Sequence, residues 1–99
     1  MLRFELSIRA ARDLKTARIR YDEIDLDLGT RFLDEVEDEI RKAAEQPTRF
    51  PAFDGHVRAA RCATFPYRIY FEVLKTKLRV LAIYHTARDS NRWNDPERK

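Results

Sequence analysis

Leu2, Phe4 and Leu6 alternate with Arg3 and Glu5, and after Ser7 the apolar spacing lengthens, with Ala10, Leu14, Ala17, Tyr21 and Ile24 recurring every three or four positions. That change of period predicts a short, half-buried strand followed by an amphipathic helix over about Ile8 to Asp25, with Ser7 as its N-cap. The other side of this helix carries Arg9, Arg12, Asp13 and Arg20 and reads as a solvated face. "DLDLGT" interrupts the pattern, and Asp27 is placed to cap a second helix. Phe32, Val36, Ile40 and Ala43, flanked by Leu33 and Ala44, form the apolar stripe of that helix, with Asp34, Glu35, Glu37, Asp38 and Glu39 outside it. Pro47 ends it, and two amphipathic helices joined by so few residues predict an antiparallel hairpin.

"PTRFPAFDGH" holds two prolines and a glycine and reads as a loop. Three segments of β-branched and aromatic bias come next, Val57 to Ala63, Tyr67 to Leu74 and Leu78 to His85, the last two joined through "KTK". Consecutive strands with short connections pair as an antiparallel meander, and the helical hairpin must cover one sheet face to bury its stripes. The expected fold is α+β: an N-terminal strand, a two-helix hairpin and a three-stranded meander, in one compact sheet with helices on one face. Residues 1–99 form a single domain in this reading, because a chain so short has no length for a second core. Tyr67, Ile69, Phe71 and Val73 share the face expected to receive the helices. Arg68, Tyr70 and Glu72 point the other way.

Charge adds an asymmetry. Charged residues make up 37% of the chain, yet the net charge is only +3. Residues 1 to 40 hold seven bases against eleven acids, whereas residues 41 to 99 hold thirteen against six. A basic C-terminal half on a strand framework points to an anionic partner. The single cysteine, Cys62, excludes an internal disulfide and is expected as a small buried hydrophobe. No secretory leader opens the chain and no apolar run is long enough to span a bilayer, so a cytoplasmic protein without a membrane partner is expected. With glycine only at 29 and 55, no phosphate-binding glycine loop exists, and His56, His85 and one cysteine make a poor zinc set. No cofactor or metal is therefore expected.

Two stretches carry the candidate chemistry: "PYRIYFEV", with Arg68 in mid-strand, and "AIYHTARDSNRW", which brings His85 and Arg88 to the end of the next strand. Together with the order of elements along essentially the whole chain, they resemble the RelE/ParE superfamily, the growth-arresting halves of type II toxin-antitoxin modules. Ser90 stands where the recurrent pattern of that superfamily usually has proline. The resemblance implies a four-stranded sheet backed by two helices, an antitoxin partner, and contact with operator DNA only through that antitoxin. It does not imply one activity. Some members cleave mRNA on the ribosome without a metal, and others poison DNA gyrase.

For metal-free cleavage, the resemblance makes Arg61, Arg68 and Arg88 the phosphate-binding cations and leaves His85 as the candidate acid or base. The position matching a catalytic tyrosine falls near Trp93 and Asn94, neither of which transfers protons at neutral pH. A gyrase-directed toxin needs only a surface, for which Arg58, Arg61, Arg68, Tyr70, Arg88 and Trp93 are the candidates. The missing base favours gyrase over the ribosome, with an inactive toxin-fold binding module as a further alternative. Each residue also has a structural reading: His85 tied to Asp89, Arg68 paired with Glu72, and Arg88 clamped to Asp89 or Asp95.

Overall fold

A computed structural model describes residues 2–89. Strand β1 spans Arg3–Leu6, helix α1 Ile8–Ile24 and helix α2 Leu26–Glu45. A 3₁₀ turn at Pro47–Arg49 leads to β2 at Ala52–Asp54, succeeded by β3 at Val57–Arg61, β4 at Tyr67–Val73 and β5 at Lys77–His85. The five strands, one more than the four that the resemblance implies, form one sheet in the order β1-β5-β4-β3-β2. The expected α+β arrangement and antiparallel meander of β3, β4 and β5 are present.

Two features of the sheet depart from the periodicity reading. The segment read as a loop contributes β2, which pairs antiparallel with β3 through a turn at Gly55 and His56. Gly55 adopts φ +60°, a conformation that glycine takes without strain. The second departure is the seat of β1, which lies parallel to β5 with Leu6 beside Val80. It is short because Ser7 lifts the chain into α1 at that point. The Ser7 amide donates to the Val80 carbonyl, its hydroxyl donates to the Leu81 carbonyl, and its oxygen accepts from the Ala10 amide.

The helices are joined more tightly than "DLDLGT" implies. Asp25 alone separates them, donating its amide to the Tyr21 carbonyl while its carboxylate accepts the Asp27 amide. The expected cap at Asp27 is thus displaced to Asp25, and Asp27 sits in the first turn, where its charge opposes the helix dipole favourably. Near this tip, a Cβ on Gly29 would fall on the Asp22 carboxylate, 1.7 Å from Oδ1, so glycine permits the close approach of the two helices.

Helix stripes and sheet meet in one main core. Phe32 is completely buried, and its ring lies 5.1 Å from Tyr21, 5.3 Å from Phe65 and 5.1 Å from Tyr67. Ile69 and Phe71 of β4 face this core as expected, whereas Val73 is 41% exposed at the strand end. On β5, Leu78, Val80 and Ile83 face the helices, a sequence that breaks strict alternation. The break is a β-bulge: Phe71 opposes Val80 and Tyr70 opposes Ala82, leaving Leu81 without a cross-strand partner. The opposite sheet face holds a smaller cluster of Val57, Ala59, Tyr70, Ala82 and Tyr84.

The β3-β4 connection is held from α2. Glu35 accepts the Thr64 amide with one carboxylate oxygen and the Phe65 amide with the other, each at 3.0 Å. Beneath this loop Cys62 is buried, as expected for a small hydrophobe. Burial, with Glu35 and Glu39 adding, pushes its thiol up to about 12 and keeps it protonated and unreactive at neutral pH.

Candidate functional site

The outer face of the sheet, away from the helices, carries the clearest electrostatic anomaly. In the β3-β4 register Arg61 lies directly opposite Arg68. Cross-strand partners project to the same side with their Cβ atoms about 5 Å apart, and like charges so placed destabilise a sheet. Neither guanidinium forms an ion pair with a carboxylate among the described residues. Arg68 is half-buried and Arg61 exposed, and Tyr84 flanks Arg68 on the other side. Along the strand, Tyr70 packs against Phe53 at 4.8 Å and Tyr84 at 5.7 Å. Glu72, the expected partner of Arg68, instead meets His56 Nε2 at 2.7 Å. Four residues of strand separate Glu72 from Arg68, about 13 Å.

His85 does not share this face. The bulge at Leu81 puts Tyr84 beside Arg68 on the outer side and His85 beside Tyr67 on the helix side, with ring centroids 5.2 Å apart. Its Nδ1 accepts the amides of Ala87 and Arg88 at 3.1 and 2.9 Å, which fixes the neutral tautomer with its proton on Nε2. Its own amide donates to the Asp89 carboxylate at 2.9 Å. The ring thus organises the turn after β5. Desolvation by burial and then the neighbouring Arg88 charge hold its pKa below the usual 6.5; Asp89 pulls the other way, and Arg20 adds a weaker lowering.

A native ring that resists protonation more than the unfolded chain contributes stability that is complete above pH 6.5 and is lost as pH falls through the lower native value. His85→Gln should flatten this acid limb of the stability profile in urea titrations at stepped pH. An unchanged limb would uncouple the ring from folding.

The remaining candidates lie apart. Arg88 is exposed, with Nη2 3.4 Å from the Tyr67 hydroxyl, on the His85 side. Arg58 shares the helix side with Phe71, and its Nη1 donates to the Phe50 carbonyl at 2.6 Å. Trp93 and Asn94, and the expected Asp95 clamp, lie outside the described residues. Periodicity misses the pairing of His56 with Glu72 and the role of Asp13, whose carboxylate accepts the Ile83 amide at 3.0 Å on the edge that β1 leaves uncovered. The Asp-Gly dipeptide at 54 and 55 is a legible sign of the β2-β3 turn that presents His56. Nothing local marks Asp13. Among the described residues, no group of three or more His, Cys, Asp or Glu side chains could hold a metal ion, and no helix is long and apolar enough to cross a membrane.

The family model for the ParE toxin of the type II toxin-antitoxin system parDE matches residues 4–90. The chain belongs to the ParE toxin family. A solved structure described as a chromosomal ParDE toxin-antitoxin system from P. aeruginosa superimposes with a TM-score of 0.75 at 16% identity, covering 86% of this chain and 96% of that one. At that identity the likeness is one of fold. A search of curated proteins found no match. The expected RelE/ParE membership is thereby established, and within the ParE fold the opposed arginines occupy the outer sheet face while His85 serves the turn after β5.

Proposed function

We propose that this ParE-family toxin arrests growth by binding DNA gyrase through a surface, without catalysis, and that a cognate antitoxin neutralises it by direct contact. The separation of His85 from the opposed arginines carries this reading. A metal-free nuclease needs its acid or base within hydrogen-bond reach of the same phosphate its cations hold. Here the histidine lies across the sheet from Arg61 and Arg68, and beside Arg88 and Arg20 it offers no free basic nitrogen, because Nδ1 accepts two backbone amides. The His56–Glu72 pair is a third of the molecule's long axis away from Arg68. What Arg61 and Arg68 retain is attraction for an anionic surface. An apolar groove of about 190 Å³ among Phe4, Leu6, Leu14, Leu33 and Val36 supports the antitoxin part of the reading, because Phe4 and Leu6 are more than a third exposed there and fit an amphipathic segment.

The test is gyrase supercoiling with the purified protein. Wild type and His85→Gln should both inhibit, whereas R61E/R68E should need at least about ten times more protein, a change of about 1.4 kcal/mol in binding. Thermal melts should show both single alanine variants, Arg61→Ala and Arg68→Ala, within about 1 kcal/mol of wild type, since each removes a like-charge neighbour. Ribosome-dependent mRNA cleavage by wild type that vanishes in folded His85→Gln would overturn the reading.

A further inference from the structure

The face of α1 that periodicity assigns to solvent borders a cleft. Arg9, Arg12, Thr16 and Arg20 recur at helical spacing along α1, and they line a polar cleft of about 300 Å³ against Tyr67 and the end of β5. Beyond Leu6 no strand among the described residues lies beside the edge of β5; α1 runs along that edge and the cleft lies between them. Arg12 and Arg20 are exposed and form no ion pair with a carboxylate among the described residues. Arg88 borders the cleft, its Nη2 3.4 Å from the hydroxyl of Tyr67 in the lining. Two carboxylates, Asp13 and Asp89, also line it, and each accepts a backbone amide of β5, from Ile83 and His85 respectively.

We propose that this cleft binds successive backbone phosphates of duplex DNA, with Arg12, Arg20 and Arg88 as the phosphate ligands. Three observations select phosphate over an apolar partner. The cations that line or border the cleft are all arginine, whose planar fork matches phosphate oxygens. The lining between them is polar, with the Thr16 and Tyr67 hydroxyls available as donors. Arg12 and Arg20 stand eight residues apart on one helix, about 12 Å along its axis, a span that takes in about three or four phosphates of one strand. The choice of duplex DNA over RNA rests on the gyrase reading, because gyrase presents its bound DNA. The arginine cleft is separate from the opposed pair on the outer face.

The experiment measures binding of the full chain to a labelled duplex of about 20 base pairs by fluorescence anisotropy between 50 and 200 mM salt, a range over which phosphate contacts weaken steeply. R12A/R20A should bind at least about tenfold more weakly, and the slope of log affinity against log salt should fall by about 2, one for each contact removed. R12K/R20K should keep most of the slope. R41A/K42A removes the same charge from α2 and should change little. The proposal fails if the α1 and α2 variants lose affinity equally, if single-stranded RNA of equal length binds more tightly, or if a poly-glutamate peptide of equal charge displaces the duplex as well as DNA does. Supercoiling measured on the same samples separates the two ideas. Inhibition by wild type with DNA affinity indifferent to Arg12 and Arg20 sinks only the cleft, whereas arginine-dependent DNA binding without inhibition sinks only the gyrase reading.

Discussion

Phe32→Ala lowers the unfolding free energy by about 3 to 5 kcal/mol, read from urea melts followed by circular dichroism. Phe32 has no exposed surface and is the common neighbour of Tyr21, Phe65 and Tyr67, so its ring touches both helices and the start of β4. Truncation removes the transfer free energy of a whole ring and three edge-on or tilted ring contacts, each worth about 0.5 to 1.5 kcal/mol. The walls cannot close on the cavity by drawing α1 nearer to α2, because Asp22 and Gly29 are already close-packed near the same tip. Against a typical total of about 5 to 15 kcal/mol, that loss leaves a marginal protein. Leu33→Ala, one position along but only half-buried, should cost distinctly less. Equal losses at the two positions would refute the picture of a core centred on Phe32.

Glu35→Ala should cost about 2 to 3 kcal/mol, an unusual figure for one acid on a helix face crowded with acids. Its two oxygens hold the Thr64 and Phe65 amides, and hydrogen bonds to a charged acceptor are stronger than neutral ones. Thr64 is exposed and water replaces its bond in the variant, whereas the Phe65 amide is partly buried and loses more. Glu35→Gln retains one acceptor oxygen and should recover about half of the loss. Asp34→Ala and Glu37→Ala, both exposed, should stay within about 0.5 kcal/mol of wild type. If all three alanine variants melt alike, Glu35 is only another surface charge.

The contrast between Glu35 and its neighbours shows where reading from sequence stops. The stripe of Phe32, Val36, Ile40 and Ala43 is legible because burial repeats with the helix period, and all four residues are in the core. Glu35 is one of five acids between positions 34 and 39, and its partners are amides about 30 residues away, which no local pattern encodes. The meander is legible for a related reason: strand bias and short connections leave little choice of pairing. The parallel seat of β1 depends instead on Ser7 bonding to Val80 and Leu81, more than 70 positions distant. At the site, the outward aim of Arg68 comes from alternation on β4, but its face-to-face placement with Arg61 is a property of register. Residue type alone groups His85 with Arg68, since both lie on strands of the same bias, and one unpaired residue decides which side of the sheet the histidine takes.

That unpaired residue, Leu81, also governs how β5 tolerates changes of length over evolution. Strict alternation from Val80 would turn Ala82 and Tyr84 toward the helices and send His85 outward to join Arg68. Removing Leu81 instead yields an unbulged strand in which Ile83 and His85 keep their sides, so this is the position in β5 where a codon can be lost without inverting the surface. A codon gained or lost beyond it exchanges the two faces of everything up to the turn. When relatives are aligned, a one-residue gap at Leu81 therefore marks a flattened strand carrying the same surface, whereas a gap between Ala82 and Tyr84 marks a toxin whose histidine and opposed arginines have come to share one.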